Sequence, residues 1–256
     1  MSGAALGFLF CGLSWPAGAA PTPLAALPPL PAACAAPESF AATEEKLTHV
    51  ADALRPGGTL DILAIGSAST VDPAAGGGRE GTSFPHRMAE ALRAAAPAAR
   101  VTLEVRGGRG MAASDMLAVL REALGKGHYQ LVLWQTGTVE AVRNLPPDEF
   151  LATLTEGAAA VAQADADLVL IDPQFSRFLR AHANVDPYEE VMQQVAGLPG
   201  VVLFRRYALM QAWAEDDGID LERTPKAERK QTVDMLHACL GGFLARFVLS
   251  GLADPS

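Results

Sequence analysis

The chain is poor in aromatic residues, in basic residues and in cysteine, and each shortage excludes something. Aromatic side chains make up 6% of its 256 residues, so a core must be filled by aliphatic groups and by the abundant alanine, which suits helices packed on a sheet. Lys and Arg number 20 against 29 Asp and Glu, a formal net charge of −9. Nucleic acids are held through clustered Lys and Arg. No such stripe is visible here, so nucleic acid is excluded as a partner. The run from Lys226 to Lys230 lies beside acidic residues and reads as a solvated face. His49, His86, His128, His182 and His237 stand singly, without metal-ligand spacing. Neither a metal nor an organic cofactor is implied. The glycines Gly76-Gly77-Gly78 lack the Gly-Lys-Ser/Thr ending of a phosphate loop, and no internal repeat is evident.

Charged side chains are missing altogether before Glu38. Residues 4–15 form an apolar run, followed by Ala17-Gly18-Ala19-Ala20. This is the order of a secretory signal's hydrophobic region and small-residue cleavage site, although the basic start is missing. The run falls short of the roughly 20 apolar residues of a membrane span, so no stable span is expected. Export to the periplasm or medium is expected; the other reading is a cytoplasmic protein with an Ala/Pro-rich tail. Cys11 lies in this leader. Cys34 and Cys239 would pair only in an oxidising compartment, and the expectation is two free thiols. The length allows one large domain plus a tail. The expected organisation is a leader over 1–37, a helical linker over 38–59 and an α/β domain over 60–256.

From residue 60 onward, short β-favouring apolar runs alternate with helical stretches. Strands are expected at 60–65, 101–105, 131–135, 168–171 and 201–204. Each is apolar on both faces, as strands of a helix-covered parallel sheet are. Helices are expected at 44–54, 84–95, 111–124, 148–162, 188–196, 207–215 and 234–249. In the 148–162 stretch Phe150, Leu151, Leu154 and Ala158 recur at helical spacing. The fold class is therefore α/β, a three-layer sandwich around a five-stranded parallel sheet. Ligands of such domains bind outside the carboxyl ends of the strands.

Two segments map to that rim. Ala64-Ile65-Gly66-Ser67-Ala68-Ser69-Thr70 follows the first strand, and Asp234-Met235-Leu236-His237 opens the last helical stretch. The first has the form of a nucleophile turn. The second can supply a general base, His237, and the carboxylate that orients it, Asp234, through a direct hydrogen bond. The other reading of Asp234 and His237 is a helix cap and a packed imidazole.

Together these segments resemble the SGNH (GDSL-type) hydrolases, an esterase and lipase superfamily. Gly66 to Thr70 with Ser83-Phe84-Pro85, the stretch Leu131 to Thr138, Ile171-Asp172-Pro173-Gln174 and the stretch Leu203 to Met210 are similar to a bacterial subgroup whose first block reads Gly-Ser-Ser-Ser-Thr. The resemblance implies a flavodoxin-like domain acting on a small-molecule or carbohydrate ester, or descended from enzymes that do. It also exposes erosion. The nucleophile position is Ala68, flanked by Ser67 and Ser69. Ser67, with Ser69 as the alternative, is the candidate replacement; otherwise both hydroxyls only brace the turn. Gly110 matches the second block's oxyanion donor, and Val139 stands where the family's third block carries Asn. Valine cannot donate, and one lost donor typically costs ~2.7–4 kcal/mol of transition-state stabilisation. Impaired activity is expected, so that Ala68→Ser would restore turnover only in part. The alternative is a non-catalytic binding protein on the same fold. A nucleotide-binding flavodoxin-like domain shares the architecture but lacks the phosphate loop. Trp134 reads as core, Glu140 as an exposed loop carboxylate or an alternative base, and Arg205 and Arg206 as binders of a carboxylate or as partners of Asp172 or solvent. Arg109 has no second feature to support a role.

Overall fold

In the computed structural model, residues 24–71, 81–216 and 218–252 are described. The apolar run 4–15, the small residues 17–20, Cys11 and the Gly76–Gly78 stretch lie outside them. Five strands form one sheet: β1 (Thr59–Gly66), β2 (Arg100–Gly107), β3 (Leu131–Gln135), β4 (Asp167–Ile171) and β5 (Val201–Phe204). Their order is β2-β1-β3-β4-β5, and every pairing is parallel. β3 and β4 are buried at every residue, which is why their sequences are continuous apolar runs rather than alternating ones.

The helices are α1 (Thr48–Ala53), α2 (Ala68–Val71), α3 (Phe84–Ala95), α4 (Ala113–Leu124), α5 (Thr138–Arg143), α6 (Pro147–Gln163), α7 (Arg177–His182), α8 (Asp186–Val195), α9 (Arg206–Glu215) and α10 (Arg229–Ser250). α4, α6 and α8 pack as one row, and α3 packs on α10. Trp134 of β3 is fully buried, as expected of a core residue, and lies so close to Gly157 of α6 that a Cβ there would overlap the indole. α2, α5 and α7 are short pieces of four to six residues at the carboxyl rim, too brief to show a 3.6-residue period in sequence.

α10 departs most from expectation. It begins at Arg229, so Asp234 and His237 sit inside the helix rather than at its start. By length and composition α10 could cross a membrane, but it is mostly buried in the protein. Gly241 lets it approach α3 closely: a Cβ there would overlap Arg87 Cβ and come within 2.8 Å of the Phe84 carbonyl oxygen.

The N-terminal segments are also more integral than expected. The described part of the leader lies against the domain, with Ala25 N donating to Ala95 O at 2.7 Å and Arg246 Nη2 donating to Pro28 O. Cys34 and Cys239 are not free thiols: they form a disulfide, with Cα atoms 5.3 Å apart across a separation of 205 residues. The reason is tertiary, since the turn Ala32–Cys34 is laid against α10 and its carbonyl accepts from Trp213 Nε1 at 3.2 Å. Nor is 38–59 a linker. Leu47 and Val50 are fully buried, and Val50 N donates to Asp167 Oδ2 at 2.9 Å.

Candidate functional site

β1 ends at Gly66, where a Cβ would overlap the Thr70 side chain, so the chain turns into α2 against Gln135, the polar end of an otherwise apolar β3. Gln135 is 1% exposed. Its Oε1 accepts from Ser67 N at 3.2 Å, Ser67 Oγ at 3.1 Å and Thr70 Oγ1 at 3.1 Å, with Ser69 Oγ at 3.5 Å. The Ser67 hydroxyl thus serves the turn. Ala68 opens α2 between the two serines.

His237 arrives from α10 on the same helical face as Gly241, one turn away. The close approach that Gly241 permits places His237 Nδ1 3.1 Å from the backbone nitrogen of Phe84, the first residue of α3, and that N–H donates to it. The first N–H groups of a helix have no partner within it, and here the imidazole supplies one. Its ring also stacks on Phe84, centroids 6.2 Å apart. With Nδ1 accepting, the neutral ring carries its proton on Nε2. A triad histidine has the opposite arrangement, with Nδ1–H donating to the carboxylate and Nε2 free to take a proton. The expected Asp234–His237 hydrogen bond is not formed: Nδ1 accepts from Phe84 N, and Asp234 Oδ1 is buried without a hydrogen-bond partner. Burial, then the Arg206 charge, pushes the His237 imidazole down to about 4. Neither serine is hydrogen-bonded to it.

The remaining rim residues are engaged structurally. Gly110 has a left-handed φ of 76°, and its carbonyl accepts from Arg143 Nη2 at 2.9 Å. Val139 lies in the first turn of α5. Glu140 is neither an exposed carboxylate nor a free base. It is buried, with Oε2 accepting from Gly137 N at 2.9 Å and Oε1 from Ala113 N, so one carboxylate serves the starts of α5 and α4. Asp172 accepts from Tyr207 N at 2.7 Å at the start of α9, and burial pushes its carboxyl up to about 8.

Arg205 is exposed, whereas Arg206 is 1% exposed. Arg206 Nη1 donates to Ser69 Oγ at 3.2 Å, and its guanidinium lies 6.0 Å from the Phe84 ring centroid. No carboxylate stands within ion-pair distance of it among the described residues, so the expected pairing with Asp172 is not made. Burial pushes the guanidinium down to about 10, against the attraction of Asp172. Gln135 and the Phe84 N–H went unnoticed in the sequence. A glutamine ending a buried apolar strand is a readable signal; a backbone donor from another helix is not. No group of His, Cys, Asp and Glu suited to a metal ion occurs among the described residues.

Similar architectures are known. A putative lipolytic protein of the G-D-S-L family from Desulfitobacterium hafniense superimposes with a TM-score of 0.56 at 14% identity, over 73% of this chain and 98% of that one. LAE5, an alpha/beta hydrolase enzyme from the metagenome of Lake Arreo, gives 0.58 at 20% identity, over 76% and 97%. A mutant of Axe2, an acetyl-xylooligosaccharide esterase from Geobacillus, gives 0.58 at 16% identity, over 75% and 95%. No curated protein sequence matches the chain. At these identities the likenesses speak for the fold alone, a parallel α/β/α domain. The sequence itself matches the non-GDSL lipase-like family over residues 33–254, and the chain therefore belongs to that family.

Proposed function

We propose that this protein is an exported SGNH-fold protein that binds a small ligand at the carboxyl rim of its sheet and no longer hydrolyses esters through a serine–histidine–aspartate triad. The observation that carries this reading is the Phe84 N–H on His237 Nδ1 at 3.1 Å. A general base must accept the nucleophile's proton at Nε2 while Nδ1–H is steadied by a carboxylate; here Nδ1 accepts from Phe84 N and makes no hydrogen bond to Asp234. Ala68 at the nucleophile position, the Ser67 hydroxyl committed to Gln135 and Val139 in place of a donor all point the same way. Export is supported by the signal-like leader and by the Cys34–Cys239 disulfide, a bond that persists in oxidising compartments.

The competing reading is an active esterase with a displaced nucleophile, favoured by the two half-buried serine hydroxyls beside Ala68. Hydrolysis of p-nitrophenyl acetate separates the two. The natural protein, Ser67→Ala, Ser69→Ala and His237→Ala are expected to be alike, at the rate of buffer. Robust turnover by the natural protein, abolished by one serine change and by His237→Ala, would establish the displaced nucleophile instead.

A further inference from the structure

The rim cluster is made of unused donors. A guanidinium carries five N–H groups. In Arg206 one donates to Ser69 Oγ at 3.2 Å, and Nε is buried without a partner. The Ser69 hydroxyl proton is only weakly committed, at 3.5 Å from Gln135 Oε1. Because His237 Nδ1 is occupied by the Phe84 N–H, its Nε2–H is another donor, and it makes no hydrogen bond among the described residues. Arg206 and His237 both lie against the Phe84 ring. The cation has no ion-pair partner among the described residues, although Asp172 attracts it from a distance. The Asp172 carboxylate is out of ion-pair reach and occupied by Tyr207 N, and Glu140 is taken up by Gly137 and Ala113. A buried charge without an ion-pair partner is disfavoured unless something pairs with it, and an acidic chain has kept one at the rim where ligands of this architecture bind.

We propose that Arg206 and Ser69, with His237 beside them, form a binding site for a carboxylate group. The planar guanidinium fork matches the two oxygens of a carboxylate. The site rests on reading the carboxyl rim as ligand-binding and gives that ligand a class: an organic acid, free or borne on a sugar.

Calorimetric titration of the full chain with sodium acetate and with sodium glucuronate tests it, with acetamide and inorganic phosphate as controls. Saturable binding of at least one carboxylate is expected; the tighter of the two tells a free acid from a sugar acid. Acetamide should not bind. Arg206→Met should weaken binding at least about tenfold, the scale of one charge-assisted contact. Arg206→Lys, which keeps the charge without the fork, should fall between. Should Arg206→Met fail to fold by circular dichroism, Arg206→Lys and Ser69→Ala carry the comparison, each expected to bind more weakly than the natural protein. No saturable carboxylate binding, equal affinity in the folded variants, or binding of phosphate in preference to both acids would overturn the proposal. The titration reads occupancy and the ester assay reads turnover. Carboxylate binding together with robust turnover would keep this site and discard the non-catalytic reading; neither binding nor turnover would do the reverse.

Discussion

The amide oxygen of Gln135 gathers the Ser67 amide and hydroxyl and the Thr70 hydroxyl at 3.1–3.2 Å, and this one residue decides what the first turn can do. A serine whose proton points into a buried amide is held for structure. Placing a hydroxyl at the family's nucleophile position does not undo that, nor does it reverse the protonation of His237. The partial rescue expected from sequence therefore has too little to build on. Ala68→Ser alone is expected to leave p-nitrophenyl acetate hydrolysis at background, and so is Ala68→Ser with Val139→Asn. Groups of a triad act as a unit, so partial restoration yields little. A clear gain in the double variant, measured against Ala68→Ser, would show that the imidazole reorients once a nucleophile is present. Legibility is uneven at this scale. At Ala68 and Val139 the residue type alone says which groups the side chain lacks. At His237 the sequence misleads, because the D-x-x-H spacing is intact while the hydrogen bond it predicts is absent.

α10 shows how an element can carry a site through packing alone. Its glycines are adjacent in sequence and differ in surroundings. A Cβ on Gly241 would meet Arg87 Cβ and come within 2.9 Å of Met88 N, both fixed parts of α3, whereas one on Gly242 would meet the far end of the Leu30 side chain. Alanine is favoured over glycine inside a helix by about 1 kcal/mol, so Gly242→Ala has a gain to set against a side chain that can move. Gly241→Ala must push two helices apart and is expected to cost about 1–3 kcal/mol, the usual range for overpacking. Urea midpoints of the two variants check this; equal midpoints would mean that α10 does not rest on α3 as described. The same displacement should lengthen the Phe84 N–H contact to His237, visible as altered histidine ring signals in NMR spectra of Gly241→Ala but not of Gly242→Ala. The position and type of α3, α6 and α10 were readable from periodicity. The start of α10 at Arg229 was not, since Arg229 to Val233 carries little apolar signal.

Across the whole molecule, two buried groups set opposing pH dependences. His237 takes a proton at about 4 when folded against an ordinary 6.5. The unfolded chain therefore binds the extra proton first, and stability is lost as pH falls from about 6.5 towards 4. Asp172 is the reverse. Its carboxyl holds its proton to about 8 when folded against an ordinary 3.8, so stability is lost as pH rises through that window. Between about 4 and 6.5 the two contributions cancel, and above 6.5 only that of Asp172 remains. The expected result is a loss of about 2 kcal/mol between pH 6.5 and 8, from the proton linkage of one group over that interval. Urea unfolding at pH 6.5 and pH 8 measures it, and Asp172→Asn should flatten the difference. A natural protein equally stable at both would show that Asp172 is ionised throughout. The disulfide acts at this scale too, tying the turn at Cys34 to α10 across 205 residues; closing so long a loop limits the freedom of the unfolded chain.

The sequence by itself determined the α/β class, the five strands almost to the residue, the buried Trp134 and the absence of a hydroxyl at position 68. These follow from local properties: apolar runs of strand length, turn residues after them, and side-chain chemistry that no folding can add. What only the tertiary structure decided lies between distant segments. Ser69 and Arg206 are 137 residues apart, Phe84 and His237 153, and Cys34 and Cys239 205. The sense of the His237 hydrogen bond, the solitary charge of Arg206 and the pairing of the cysteines depend on which elements lie side by side. That is set by the packing of α10 on α3 and of the N-terminal segment on α10, and it leaves no periodic trace along the chain.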